Sequence, residues 1–124
     1  MKITEIKKYP LAHDGRVSLY IEVLTDNGLK GLGEVGVPNM GKTVISALEH
    51  LEKRLIGEDP WESEKLWQIM FRGNFFPPGP VYSSAIAAID IALWDLKAKS
   101  VDMPLYKLLG GKVKDKIPAY ANGW

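Results

Sequence analysis

No cysteine occurs in the 124 residues, so disulfide staples and thiolate metal sites are excluded, which fits a reducing cytoplasm. Histidine is scarce too: His13 and His50 are the only two, and neither has a second histidine or a carboxylate at ligand spacing. Neither sign of charge predominates. Sixteen basic and fifteen acidic residues leave a formal charge of +1, which gives no electrostatic footing for nucleic acid or an anionic membrane surface. No apolar run approaches the roughly 18 to 20 residues that span a bilayer, and the opening MKITEIKKYP mixes charges where a secretion signal would be apolar. Internal repeats and low-complexity stretches are also missing. What is present, 46% hydrophobic and 25% charged residues, is the composition of one soluble globular domain, expected in the cytoplasm.

Strand signals come first along the chain and helix signals after them. Residues 17 to 23 alternate, with Val17, Leu19, Ile21 and Val23 on one face and Ser18, Tyr20 and Glu22 on the other. Asn27-Gly28 then predicts a two-residue type I′ turn, and residues 29 to 35 should return antiparallel to 17 to 24. Residues 3 to 9 add a third strand, with residues 11 to 16 as the loop between. From Lys42 the period becomes helical: Val44, Ile45, Leu48, Leu51 and Leu55 share a face, and Gly57 ends the helix. Asp59 is the expected N-cap of the next helix, with Pro60 at its first position. GNFFPPGP is irregular. Ser83 or Ser84 opens a long helix whose Ile86, Ile89, Leu93 and Leu96 form one stripe while Ala85, Ala88 and Ala92 allow close approach on another side. A short helix in PLYKLLGG ends at Gly110-Gly111. Trp61, Trp67 and Phe71 are expected in the core.

One motif points elsewhere. GVPNMGKT, residues 36 to 43, fits the phosphate-binding pattern G-x-x-x-x-G-K-[ST]. That chemistry needs a buried parallel strand running into the glycine loop so that backbone N–H groups converge on phosphates. Here the preceding strand is the returning arm of a hairpin, interrupted by Gly31 and Gly33, and the order of strands then helices lacks the alternation of a nucleotide-binding sheet. No ATP or GTP binding is expected.

The segment AIAAIDIALWDLKAKSVDMPLYKLLGG resembles the end of the N-terminal capping domain in the mandelate racemase and muconate lactonizing enzyme group of the enolase superfamily. GLGE at 31 to 34, LIGEDP at 55 to 60 and RGNFFPPGP at 72 to 80 extend the resemblance over the whole chain, the last being most similar to acid-sugar dehydratases of the galactonate and mannonate type. Ala98 stands where glycine is usual, and Asp102 lies where glycine is common nearby.

The resemblance implies an α+β fold: a three-stranded antiparallel meander followed by a helical bundle over residues 1 to 112, then the first strand of a (β/α)8 barrel over 113 to 124, where KIPAYANGW alternates like a strand. It implies a Mg²⁺-dependent enzyme that removes the proton beside a carboxylate and then expels water, with catalytic base and metal ligands on barrel strands beyond Trp124. Racemisation, cycloisomerisation or a non-catalytic binding module are the alternatives. No catalytic residue or metal ligand is assigned to this chain, and residues 1 to 124 alone are expected to be inert. The partners implied are a carboxylate-bearing sugar acid, the chain's own barrel and further copies in a homo-oligomer. The family closes over substrate with the segments here at 11 to 16 and 34 to 43, which makes His13, Arg16, Asn39 and Lys42 candidate substrate contacts; Asn122 and Trp124 join them as residues at a barrel strand end. Among the carboxylates, Glu34 is expected in a structural hydrogen bond, and Asp90 and Asp95, five apart on a helix, as capping, hydrogen-bonded or solvated groups, not an acid/base pair.

Overall fold

The computed structural model describes residues 1–37 and 39–121. Three strands, β1 (Ile3–His13), β2 (Arg16–Thr25) and β3 (Lys30–Glu34), form an antiparallel sheet in the order β1-β2-β3. The helices α1 (Gly41–Leu55), α2 (Ser63–Arg72), α3 (Pro80–Ser100) and α4 (Leu105–Leu108) follow, with a single 3-10 turn, Pro60–Glu62, before α2. One face of the sheet supplies Ile6, Leu19, Ile21 and Val23 to a core completed by Val44, Leu48, Leu51 and Leu55 of α1, Leu66 and Met70 of α2, and the expected stripe of α3. Asp59 caps the 3-10 turn, accepting from the Trp61 N–H at 3.0 Å.

Both hairpins differ from the sequence expectation. Residues 11 to 16 are not an open loop: β1 continues to His13 and turns over two residues, Asp14 (φ 45°) and Gly15 (φ 71°), into Arg16. That is the conformation Asp-Gly favours in a type I′ hairpin. At the second hairpin Asn27 keeps a negative φ and only Gly28 is left-handed, at 85°. The connection is three residues long, closed by Thr25 N–H to Leu29 O at 3.1 Å and Gly28 N–H to Thr25 O at 3.1 Å, the geometry of a type I turn with one left-handed residue after it.

A three-stranded sheet has two open edges, and each is covered in part by the helical half of the chain. Along β1 the Ile6 N–H donates to Glu52 Oε1 of α1 at 2.7 Å, while Lys8 Nζ binds the other carboxylate oxygen. Just beyond α1, Gly57 N–H donates to Ile3 O at 2.8 Å and Ile3 N–H donates to Glu58 O at 2.9 Å. Glu52→Ala leaves a part-buried strand amide and a lysine without their shared acceptor, and should cost about 2 kcal/mol. Glu52→Gln, which keeps an acceptor for Ile6, should cost clearly less; urea melts of the two variants separate these outcomes.

Helix α3 starts at Pro80, earlier than Ser83, because proline suits the first helical position. It ends with Asp102 at φ 49° and Met103 N–H bonded to Ala98 O at 3.0 Å, so an aspartate occupies the left-handed position after the helix that glycine takes without strain. Asp102→Gly should therefore stabilise, by about 0.5 kcal/mol, read as a small rise in Tm. Trp61 is 46% exposed instead of core, since the 3-10 turn directs it outward and Pro60 takes the buried position; Trp67 and Phe71 are half-buried and stacked at 4.6 Å. Residues 117–121 form no strand: they are exposed and lack the neighbouring strand that extended backbone needs. No described helix is long and apolar enough to cross a membrane.

Candidate functional site

The Asp14-Gly15 turn sets His13 directly across from Arg16 at the end of the first hairpin. Beyond β3 the chain leaves the sheet through Val35, whose N–H still donates to Leu19 O at 2.9 Å, and Gly36, then enters α1 at Gly41. Hairpin end and connection enclose a cavity of about 540 Å³ lined by His13, Arg16, Ser18, Glu34, Gly36 and Asn39 among others. A second, of about 590 Å³, is lined by Pro10, Gly15, Met40, Lys42 and Thr43 and shares Val17, Asn39 and Gly41 with the first. Four side chains predicted from two separate segments, His13, Arg16, Asn39 and Lys42, thus lie around two adjoining cavities. Asn122 and Trp124 lie outside the described residues.

These walls set a few polar side chains among apolar ones, Leu19 and Val35 in the first cavity and Met40 and Ile45 in the second. Among the described residues, Arg16, Glu34 and Lys42 make no ion pair, and Glu34 accepts no hydrogen bond, contrary to the structural bond expected for it. It is the last residue of β3, exposed and across from Tyr20. His13 Nε2 and Ser18 Oγ are 2.9 Å apart, tying the two arms of the hairpin together. Asn39 holds φ at 62°, a left-handed conformation asparagine tolerates better than most residues. Met40 provides no side-chain cap to α1 and the first turn carries no acidic residue, so its N–H groups present positive potential to a hydroxyl or an anion beside Lys42. Hydroxyls, carboxylates and amides can all find partners here. Ser18 and Glu34 were missed as cavity residues; the Asp-Gly turn signal would have placed Ser18 on the same strand face as Arg16.

The two helical aspartates separate. Asp95 is committed to the sheet, accepting from Leu32 N–H at 2.8 Å and from Lys99 Nζ at 2.6 Å. Asp90 lies on the far side of α3 with Ser63, Glu64, Trp67 and Trp94. Burial pushes its pKa up, Lys97 opposes that, and Glu64 adds to it. Lys97 is itself only 6% exposed, bonded through Nζ to Ser63 Oγ and 4.2 Å from the centre of the Trp94 ring. Burial lowers its pKa, with Asp90 pulling the other way. Because its folded pKa lies below the unfolded value, the cost of keeping Lys97 charged is fully present at neutral pH and fades as pH rises through the folded pKa toward 10.5. The stability of the protein relative to a Lys97→Met variant should therefore increase with pH in that alkaline window, measured by urea unfolding at stepped pH.

Among the described residues no three His, Asp or Glu side chains converge, so this set does not form a Mg²⁺ cage. The strand leading into residues 36 to 43 is β3, an antiparallel edge strand, not the buried parallel strand that a phosphate-binding loop requires.

Similarity to known proteins agrees with this architecture. The family model of the mandelate racemase / muconate lactonizing enzyme N-terminal domain matches residues 13–110. The chain is 43% identical over 121 residues to D-galactonate dehydratase of Pectobacterium atrosepticum, covering 98% of this chain and 31% of that one. It superimposes with a TM-score of 0.94 on a crystal structure from Mesorhizobium loti, at 38% identity and covering 100% of this chain and 34% of that one. With an enolase from Pantoea ananatis holding d-gluconate and Mg the TM-score is 0.86, at 37% identity over 92% of this chain and 28% of the other. The chain thus spans about a third of the length of the relatives it matches. The match runs from the end of β1 through α4, the identity and superposition extend over nearly the whole chain, and the chain belongs to the mandelate racemase / muconate lactonizing enzyme family as an N-terminal domain.

Proposed function

We propose that this chain is the substrate-enclosing domain of an acid-sugar dehydratase, residues 1 to 112 forming the cap and the stretch from 113 leading into a barrel that carries the chemistry. The observation that carries this reading is the pair of adjoining cavities in which His13, Arg16, Asn39 and Lys42 meet. The guanidinium of Arg16 and the ammonium of Lys42, without ion-pair partners among the described residues, suit a polyhydroxylated carboxylate, and walls from two chain segments suit the exclusion of water around it. The base and the Mg²⁺ ligands are assigned to the barrel, because the described residues here do not fit a metal site. Residues 117 onward become its first strand once a neighbouring strand supplies hydrogen-bond partners. Relatives named for D-galactonate and a neighbour holding d-gluconate support an aldonic acid as substrate. The assembly proposed, on family resemblance alone, is a cytoplasmic homo-oligomer.

The test is a panel of aldonic and aldaric acids offered with Mg²⁺ to the protein at the length of its relatives. Dehydration of one or more is the expected result. Interconversion of stereoisomers without loss of water would replace dehydratase by racemase, and no turnover of any acid sugar would leave the domain a binding module.

A further inference from the structure

Helix α3 does for β3 what a fourth strand would do. Along the helix, Ser84, Ala88, Ala92, Asp95 and Lys99 follow at helical spacing; Ser84 meets Gly36 just beyond β3, and the others meet Gly33, Gly31, Leu32 and Lys30 of the strand. Lys99 Nζ donates to Lys30 O at 2.8 Å, Leu32 N–H donates to Asp95 Oδ2 at 2.8 Å, and Gly36 N–H donates to Ser84 Oγ at 3.0 Å. Between these bonds, a Cβ built on Gly31 or Gly33 would meet Ala92 O at 2.0 Å or Ala88 O at 2.1 Å, so the helix backbone lies directly against the strand. Two outward-facing groups of β3, Lys30 O and Leu32 N–H, that would otherwise be open to another chain are taken by side chains of α3.

The last of these bonds reaches the candidate site. Gly36 lines the first cavity, two residues beyond Glu34 and three before Asn39. We propose that Ser84 and Asp95 are positioning residues for this cavity: Asp95 fixes the register of β3 against α3, and Ser84 sets the point at which the chain departs toward Asn39 and α1. Neither lines the cavity. Both act through the backbone of residues that do. The structural part stands on the hydrogen bonds alone, and its consequence for substrate rests on the enclosure reading above.

Amide hydrogen exchange on the chain tests it. Ser84→Ala should speed exchange of the Gly36 amide about tenfold and Asp95→Ala that of Leu32 by a similar factor, with Leu48 and Ile89 unchanged. Ser84→Thr and Asp95→Asn, which keep an oxygen acceptor, should restore protection. Unchanged exchange at Gly36 and Leu32, or acceleration spread equally through the core, would overturn the assignment. In the longer protein, Ser84→Ala should raise KM for the acid sugar several-fold with kcat near that of the parent; a fall in kcat with KM unchanged would also overturn it. Absence of any acid-sugar turnover would count against enclosure, and the Gly36 and Leu32 amides would still decide the positioning role.

Discussion

Gly33→Ala should destabilise the domain by about 3 kcal/mol, and Gly31→Ala by a similar amount. A methyl group is ordinarily a small perturbation, but here each would fall within 2.1 Å of a helix carbonyl oxygen, and Gly33 also faces Ile21 Cγ1 at 3.3 Å. Carbonyl oxygens of a buried helix cannot swing aside as a flexible side chain can. Relief would require α3 to move off β3, giving up the packing of Ala88, Ala92 and Leu96 together with the bonds from Asp95 and Ser84. For a domain of this size the loss corresponds to a Tm lower by roughly 10 °C or more. A thermal melt within a degree or two of the parent would show that helix and strand are not in the contact described.

If the proposed enclosure of an acid sugar holds, Arg16→Ala should lower kcat/KM of the longer protein for that substrate by one to two orders of magnitude while leaving the melting temperature nearly unchanged. The guanidinium lies at the end of an exposed hairpin, has no ion-pair partner among the described residues and lines the first cavity, so its removal takes little from the fold. A charge-assisted hydrogen bond to substrate is worth about 1.5 to 3 kcal/mol, which sets the size of the kinetic effect. Asn39→Ala should act in the same direction with a smaller loss, because a neutral donor is removed and a left-handed backbone position is strained at once. Parent-like kcat/KM in Arg16→Ala across the panel would take Arg16 out of the site.

Local rules carried much of this. The alternation in residues 17 to 23 found β2, the helical stripe of Leu48, Leu51 and Leu55 found α1, and Asp59-Pro60 marked its turn, because each signal is read by atoms a few residues away. Gly31 and Gly33 were legible only as interruptions of a strand. Their physical reason, contact with Ala88 and Ala92, lies more than fifty residues along the chain. The same distance hid the role of Asp95: its spacing from Asp90 excludes a shared face, but nothing near it in sequence names Leu32 as its partner. Residues 11 to 16 were overlooked as a hairpin even though Asp14-Gly15 carries the signal, and that turn brings His13 and Arg16 face to face. The site residues were reached through family resemblance; position alone would have offered them only as exposed polar groups. The segment at 117 to 121 alternates without forming a strand, and no other described strand lies beside it to pair with.

Enclosure of substrate between the hairpin end and the connection into α1 is the central claim, and amide exchange of the longer protein with and without Mg²⁺ and D-galactonate tests it most directly. If two segments close over one ligand, adding the sugar acid should slow exchange in residues 13–16 and 35–43 together, with β1 and β2 away from the hairpin end unaffected. Slowing confined to other parts of the protein, with both segments exchanging as they do without ligand, would contradict the account.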